Sequence, residues 1–173
     1  MKKQLIRYSL LVMLITVVVS LESCGIYSFT GTNLDCDKYK TVSVAYFPNE
    51  APEVVSGLSE DITTKLQNML LSQTCLTLVK EDADLIFEGE IVSYSIVPTT
   101  QTAAATAAEN RMTIGVRVRY TDTKDDEQSW EKNYSFYYNF DANALPSSIQ
   151  REANEEIFEN ITKQIFNDSV ANW

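Results

Sequence analysis

The chain has 173 residues, 45% of them hydrophobic, with 14 Lys and Arg against 24 Asp and Glu and a formal net charge of −10. That acidic balance excludes nucleic acid as a partner and leaves no basic patch for docking on an anionic bilayer. Histidine is absent from the sequence, which removes Ser-His and Cys-His nucleophile pairs, His-ligated metals and the commonest general base, and so argues against an enzyme.

Met1-Lys2-Lys3 and Arg7 precede an apolar run from Leu10 to Val19, then Ser20-Leu21-Glu22-Ser23-Cys24. Basic, then apolar, then small is the order of a bacterial secretory signal, and the run is shorter than the roughly 20 apolar residues of a membrane helix. Leu21-x-Ser23-Cys24 resembles the lipobox, in which the cysteine thiol receives a diacylglycerol and the chain is cut just ahead of it. Two readings stand: acylation of Cys24, or an unmodified cysteine behind an ordinary signal peptide. The offsets of Leu21 and Ser23 favour acylation, while Glu22 departs from the small residue usual there. Removing residues 1–23, which carry Lys2, Lys3, Arg7 and Glu22, leaves 150 residues and takes the net charge from −10 to −12. That length suits one domain. Its membrane attachment would come from acyl chains, at about 0.8 kcal/mol per buried methylene. The expected organisation is a signal peptide over 1–23, a lipidated N-terminal segment over 24–38 and an α/β domain over 39–173.

Tyr39 to Phe47, "YKTVSVAYF", is β-branched and aromatic and stops at Pro48 and Pro52, so it reads as a strand followed by a loop. Leu58, Ile62, Leu66, Met69 and Leu70 fall at helical spacing, with Ser56 or Ser59 available as cap and Glu60 and Asp61 in the first turn. "CLTLV", Cys75 to Val79, reads as a short buried strand, and the three elements form a βαβ unit with two parallel strands. Asp84 to Val97 is a long strand whose alternation changes phase near Gly89, where a bulge is expected.

Met112 to Thr121 places Met112, Ile114, Val116, Val118 and Tyr120 on one face. After the polar turn "TDTKDDEQ", Ser129 to Phe140 places Trp130, Tyr134, Phe136, Tyr138 and Phe140 on one face and Ser129, Glu131, Asn133, Ser135 and Asn139 on the other, completing an antiparallel hairpin. Pro146-Ser147-Ser148 opens a last helix, Ser147 and Gln150 standing at capping-box spacing, with an apolar stripe from Ile149 to Val170. The order strand–helix–strand–strand–strand–strand–helix implies an α/β (α+β) two-layer sandwich. A mixed four- to five-stranded sheet carries two amphipathic helices on one face and leaves a polar face uncovered.

Cys36 lies just before the first strand and Cys75 opens the second, at the same end of neighbouring strands. In an oxidising compartment they can form a disulfide contributing roughly 4 kcal/mol; two buried free cysteines are the alternative. Glu88 and Glu90 share one side of a strand and read as a solvated face rather than a glycosidase pair, since no aromatic sugar platform surrounds them. Asp122, Asp125, Asp126 and Glu127 lack the glycine and spacing of a calcium loop. With no phosphate-loop glycine array either, neither a metal nor another cofactor is expected. Arg117 and Arg119 stand together on the helix-free face. They either balance cross-strand Glu131 or contact lipid phosphates or a partner's acidic wall. Pro98 to Asn110, "PTTQTAAATAAEN", is a low-complexity loop, either a mobile tip or a segment that orders on a partner.

"CGIYSF", "KTVSVAYFPNEAP", "LIFEGEIVSYSI", "RMTIGVRVRYTDTKD" and the terminal "VANW" resemble the LptE family, the lipopolysaccharide-assembly lipoproteins, in the same order along the chain. The resemblance implies a non-enzymatic lipoprotein, anchored on the periplasmic face of the outer membrane. There it would plug an LptD-like β-barrel and assist its assembly and lipopolysaccharide insertion into the outer leaflet. Gly25 is compatible with outer-membrane sorting. The family's basic lipopolysaccharide-contacting residues have no counterpart in Pro98 to Asn110 or in Asp141 to Ser148, so Arg111 is the nearest candidate. A free-standing periplasmic lipid- or glycan-binding lipoprotein using the polar sheet face is the alternative.

Overall fold

The computed structural model describes residues 34–53, 55–99 and 108–171. The expected signal peptide, Cys24 with the segment up to residue 33, most of the low-complexity loop and the last two residues lie outside the described residues.

The elements are β1 (Thr41–Val44), α1 (Leu58–Gln73), β2 (Thr77–Leu78), β3 (Leu85–Pro98), β4 (Glu109–Asp122), β5 (Trp130–Asp141) and α2 (Pro146–Phe166). A short 3-10 turn, Asp126–Gln128, links β4 to β5, and a π turn, Asn167–Ala171, follows α2. The sheet order is β2-β1-β3-β4-β5; β1 runs parallel to β2 and β3, and β3, β4 and β5 are antiparallel. This is the expected mixed sheet with five strands. Both helices pack on one face, α1 over β1 and β2, α2 over β4 and β5.

The core forms where the helix stripes meet the sheet's apolar face. Leu58, Ile62, Leu66 and Leu70 of α1 and Ile157, Phe158, Ile161 and Ile165 of α2 are buried against Val42, Phe87, Ile91 and the Met112, Ile114, Val116, Val118 and Tyr120 series of β4. Each such side chain contributes about 1.5–3 kcal/mol on leaving water.

Four local expectations are corrected. The chain does not leave the sheet at Pro48: beyond β1 the Ala45 amide donates to Phe87 O (2.8 Å), the Ile91 amide to Pro48 O (2.9 Å) and the Glu50 amide to Ile91 O (2.9 Å). A proline lacks only its own donor, so its carbonyl still accepts from β3. Neither serine caps α1; Gly57 stands there at φ 89°, a left-handed conformation that suits glycine, and Ser59 is buried, its carbonyl accepting from Thr63 Oγ1 (2.6 Å). Likewise Ser147 makes no cap on α2; Leu145 holds that place with Pro146 as the first helical residue, and Ser148 Oγ returns to Leu145 O (2.7 Å). Finally, β2 is an exposed edge strand rather than a buried one, with only Leu76 ahead of it in the core.

The phase change in β3 comes at Ile91–Ser93, where the register with β4 shifts, two residues beyond the expected glycine. Gly89 serves another purpose. A Cβ there would lie 2.3 Å from Phe47 Cε1 and 2.6 Å from Arg117 O, so the bare backbone makes room for the buried Phe47 ring.

Two polar hubs fix the end of the sheet where β1 and β3 begin. Asp84 Oδ2 accepts the Lys40 (2.7 Å) and Thr41 (3.1 Å) amides, Oδ1 pairs with Lys124 Nζ (2.8 Å), and the Asp84 amide donates to Thr41 Oγ1 (2.9 Å). The Lys124 ammonium, helped by the Lys40 amide, holds the Asp84 carboxyl down at about 2. Buried Asp122 accepts from Tyr39 Oη (2.6 Å) and from the Lys124 (2.8 Å) and Asp125 (3.0 Å) amides, shaping the β4–β5 turn. Alongside, Cys36 and Cys75 form a disulfide with Cα atoms 6.0 Å apart, tying the entry to β1 to the end of α1.

Candidate functional site

The helix-free face of β3, β4 and β5 is the candidate site. Strand alternation puts Glu88 and Glu90 of β3, Arg117 and Arg119 of β4 and Glu131 of β5 on it, since β4 pairs Glu88↔Arg119, Glu90↔Arg117 and Arg119↔Glu131. Arg117 Nη1 binds Glu90 Oε1 at 2.7 Å. Arg119 binds Glu131 Oε2 through Nε (3.2 Å) and Nη2 (3.1 Å), with Glu88 Oε2 at 3.9 Å. With Gly89 they line an open depression of about 250 Å³. Three carboxylates face two guanidinium groups, so the patch carries one excess negative charge. Each exposed pair is worth about 0–1 kcal/mol. The arginines are therefore occupied by neighbours on their own sheet, and a phosphate ligand would have to displace those carboxylates.

Arg111 lies at the other end of β4. Its guanidinium sits 4.0 Å from the Tyr137 ring centroid and Nε donates to Asn139 Oδ1 (2.9 Å), while Tyr137 stacks on Phe136 (5.6 Å between centroids). Among the described residues no carboxylate pairs with Arg111. Tyr137 is 46% exposed, and Ser95, Thr113 and Ser135 lie between this cluster and the charged patch. The face offers a flat run of hydroxyl, amide, aromatic and paired ionic groups. Among the described residues no cluster of His, Cys, Asp or Glu could hold a metal.

The sequence puts Glu90 on a solvated strand face and Asn139 on the polar hairpin face without their partners Arg117 and Arg111, and it assigns Tyr137 to neither face. The hairpin register that pairs Tyr120 with Trp130 also pairs Arg111 with Asn139 and puts Tyr137 on its diagonal, so the spacing carried that signal.

A family model for lipopolysaccharide assembly, LptE, matches residues 39–169, which span every described element from β1 to α2. The chain belongs to the LptE family. Among solved structures, this LptE family member is similar to a minor lipoprotein from Acinetobacter baumannii, at 15% identity, 78% of this chain, 94% of that one and a TM-score of 0.51. It is also similar to the hypothetical protein CT253 from Chlamydia trachomatis, at 12% identity, 78% of this chain, 99% of that one and a TM-score of 0.54. At those identities the likeness is one of fold. No curated protein matches the chain.

Proposed function

We propose that the chain is a non-enzymatic lipoprotein of the outer membrane that acts as plug and assembly partner of an LptD-like β-barrel in lipopolysaccharide transport. Residues 1–23 act as the export signal, Cys24 carries the acyl anchor, and residues 39–173 form the domain the barrel encloses. The LptE match over residues 39–169 carries this reading. The sheet supports it physically, because its helix-free side is mostly polar and charge-paired at its centre, the kind of surface that fits a water-lined barrel lumen rather than a lipid environment. Arg111 is where direct contact with an anionic glycolipid is most favourable, since among the described residues it pairs with no carboxylate. Solubilisation of envelopes in mild detergent, followed by affinity capture of this chain, tests the reading: co-purification of a large barrel protein supports it and recovery of the chain alone contradicts it.

A second reading, a free-standing lipid- or glycan-binding lipoprotein, is favoured only by the Arg111–Tyr137–Asn139 cluster, which places an aromatic ring, a guanidinium and an amide side by side. Uptake of lipopolysaccharide by the purified chain without a barrel would support that reading over the first.

A further inference from the structure

The sheet closes on one side with β2, two residues long, and on the other with β5, twelve residues long. An edge strand turns every second amide and carbonyl away from its neighbour. Among the described residues no backbone group outside the sheet bonds those of β5 between Trp130 and Phe140, so about 34 Å of edge is open. Natural edges are usually blunted by proline, bulges, short length or inward charge. β5 contains no proline and pairs with β4 in unbroken register from Tyr120↔Trp130 to Glu109↔Asp141. Its one charged residue on the helix side, Lys132, is neutralised by Asp168 (2.9 Å).

The walls of this edge carry a charge pattern. α2 runs back along β5, so Asp168 reaches Lys132 and Tyr134 Oη (2.9 Å) near one end of the strand, while the Glu152 and Glu156 carboxylates lie near the Tyr138 hydroxyl toward the other. Three carboxylates thus overhang the strand against one ammonium group. Two copies pairing β5 to β5 would bring these carboxylates together, which opposes a homodimer.

We propose that the outer edge of β5 is a strand-addition site for an extended segment of another polypeptide that bears Lys or Arg at alternate positions. The added strand supplies the missing backbone hydrogen bonds, and its basic side chains project under α2 toward Glu152 and Glu156. The inference stands on the edge and its carboxylates, independently of which barrel the chain serves.

The test uses the full chain purified in a non-ionic detergent and a synthetic twelve-residue peptide alternating Lys with Val and Thr, with hydrogen exchange of individual β5 amides as the readout. The Lys peptide is expected to slow exchange at alternating β5 amides and nowhere else in the sheet. The Glu152→Gln/Glu156→Gln variant, which nearly keeps the size of both side chains and removes their charge, is expected to bind it about tenfold more weakly. A peptide of the same charge interrupted by two prolines is expected to give no protection. Equal binding of the proline peptide or of a Glu-for-Lys peptide, protection outside β5, pairing of β5 between two copies, or no protection at all would each overturn the proposal.

Discussion

Tyr39 Oη donates a 2.6 Å hydrogen bond to Asp122 Oδ2, joining the segment that enters β1 to the last residue of β4, 83 positions away in the chain. Both side chains are buried, and the bond together with burial pushes the Tyr39 hydroxyl's pKa well up, so the phenol stays protonated and remains a donor throughout the ordinary pH range. Tyr39→Phe removes the donor and leaves a buried carboxylate short of one partner. A loss of about 1–3 kcal/mol is expected by urea denaturation. An unchanged midpoint would mean that the turn amides of Lys124 and Asp125 satisfy Asp122 by themselves.

Asp84 sets an acid limit on the fold. Its folded pKa lies at about 2, below the ordinary 3.8, so its contribution is complete above pH 4 and drains away as the pH falls from there through 2. The expected contribution is about 1–2 kcal/mol. Denaturation curves from pH 6 to pH 2 check this: Asp84→Asn should be less stable at pH 6 and should lose less than wild type on acidification. Parallel curves for the two proteins would contradict it.

The space above Gly89 is occupied by Phe47 and by the Arg117 carbonyl, one a movable ring and the other fixed backbone. Gly89→Ala is therefore expected to cost about 2–3 kcal/mol. Phe47→Leu in the same chain should relieve only part of that cost, because the carbonyl at 2.6 Å stays in place. Thermal denaturation of both single variants and of the double variant separates the two contributions.

Much of this was legible beforehand, and the reason is periodicity. The period-two run Met112–Tyr120 and the helical stripe from Ile149 to Val170 name their buried faces directly, so β4, the β4–β5 hairpin and α2 fall where the pattern puts them. The bulge and the caps were less legible. Gly89 answers to Phe47, 42 residues earlier, and Gly57 replaces a serine cap with a left-handed backbone turn. At the candidate site Arg119–Glu131 follows from a short hairpin, whereas Arg117–Glu90 depends on register carried across the long loop between β3 and β4, which local sequence does not fix.

The Cys36–Cys75 bond closes a separation of 39 residues that holds β1 and α1. Replacing both with serine, or reducing the protein, is expected to cost about 2–4 kcal/mol and to lower the Tm without unfolding the chain at 25 °C. Coincident melting curves with and without reductant would show that the bond contributes nothing.

The central claim is that the polar side of the sheet is enclosed by another protein. Its most direct measurement is photo-crosslinking in intact cells from a reactive residue placed singly at Ser95 or Ser135, both on the helix-free face between the Arg111 cluster and the Glu90–Arg117 pair. Enclosure gives discrete adducts with one large β-barrel protein at both positions. Adducts with no barrel at either position, in cells where the chain is present at its normal level, would contradict it.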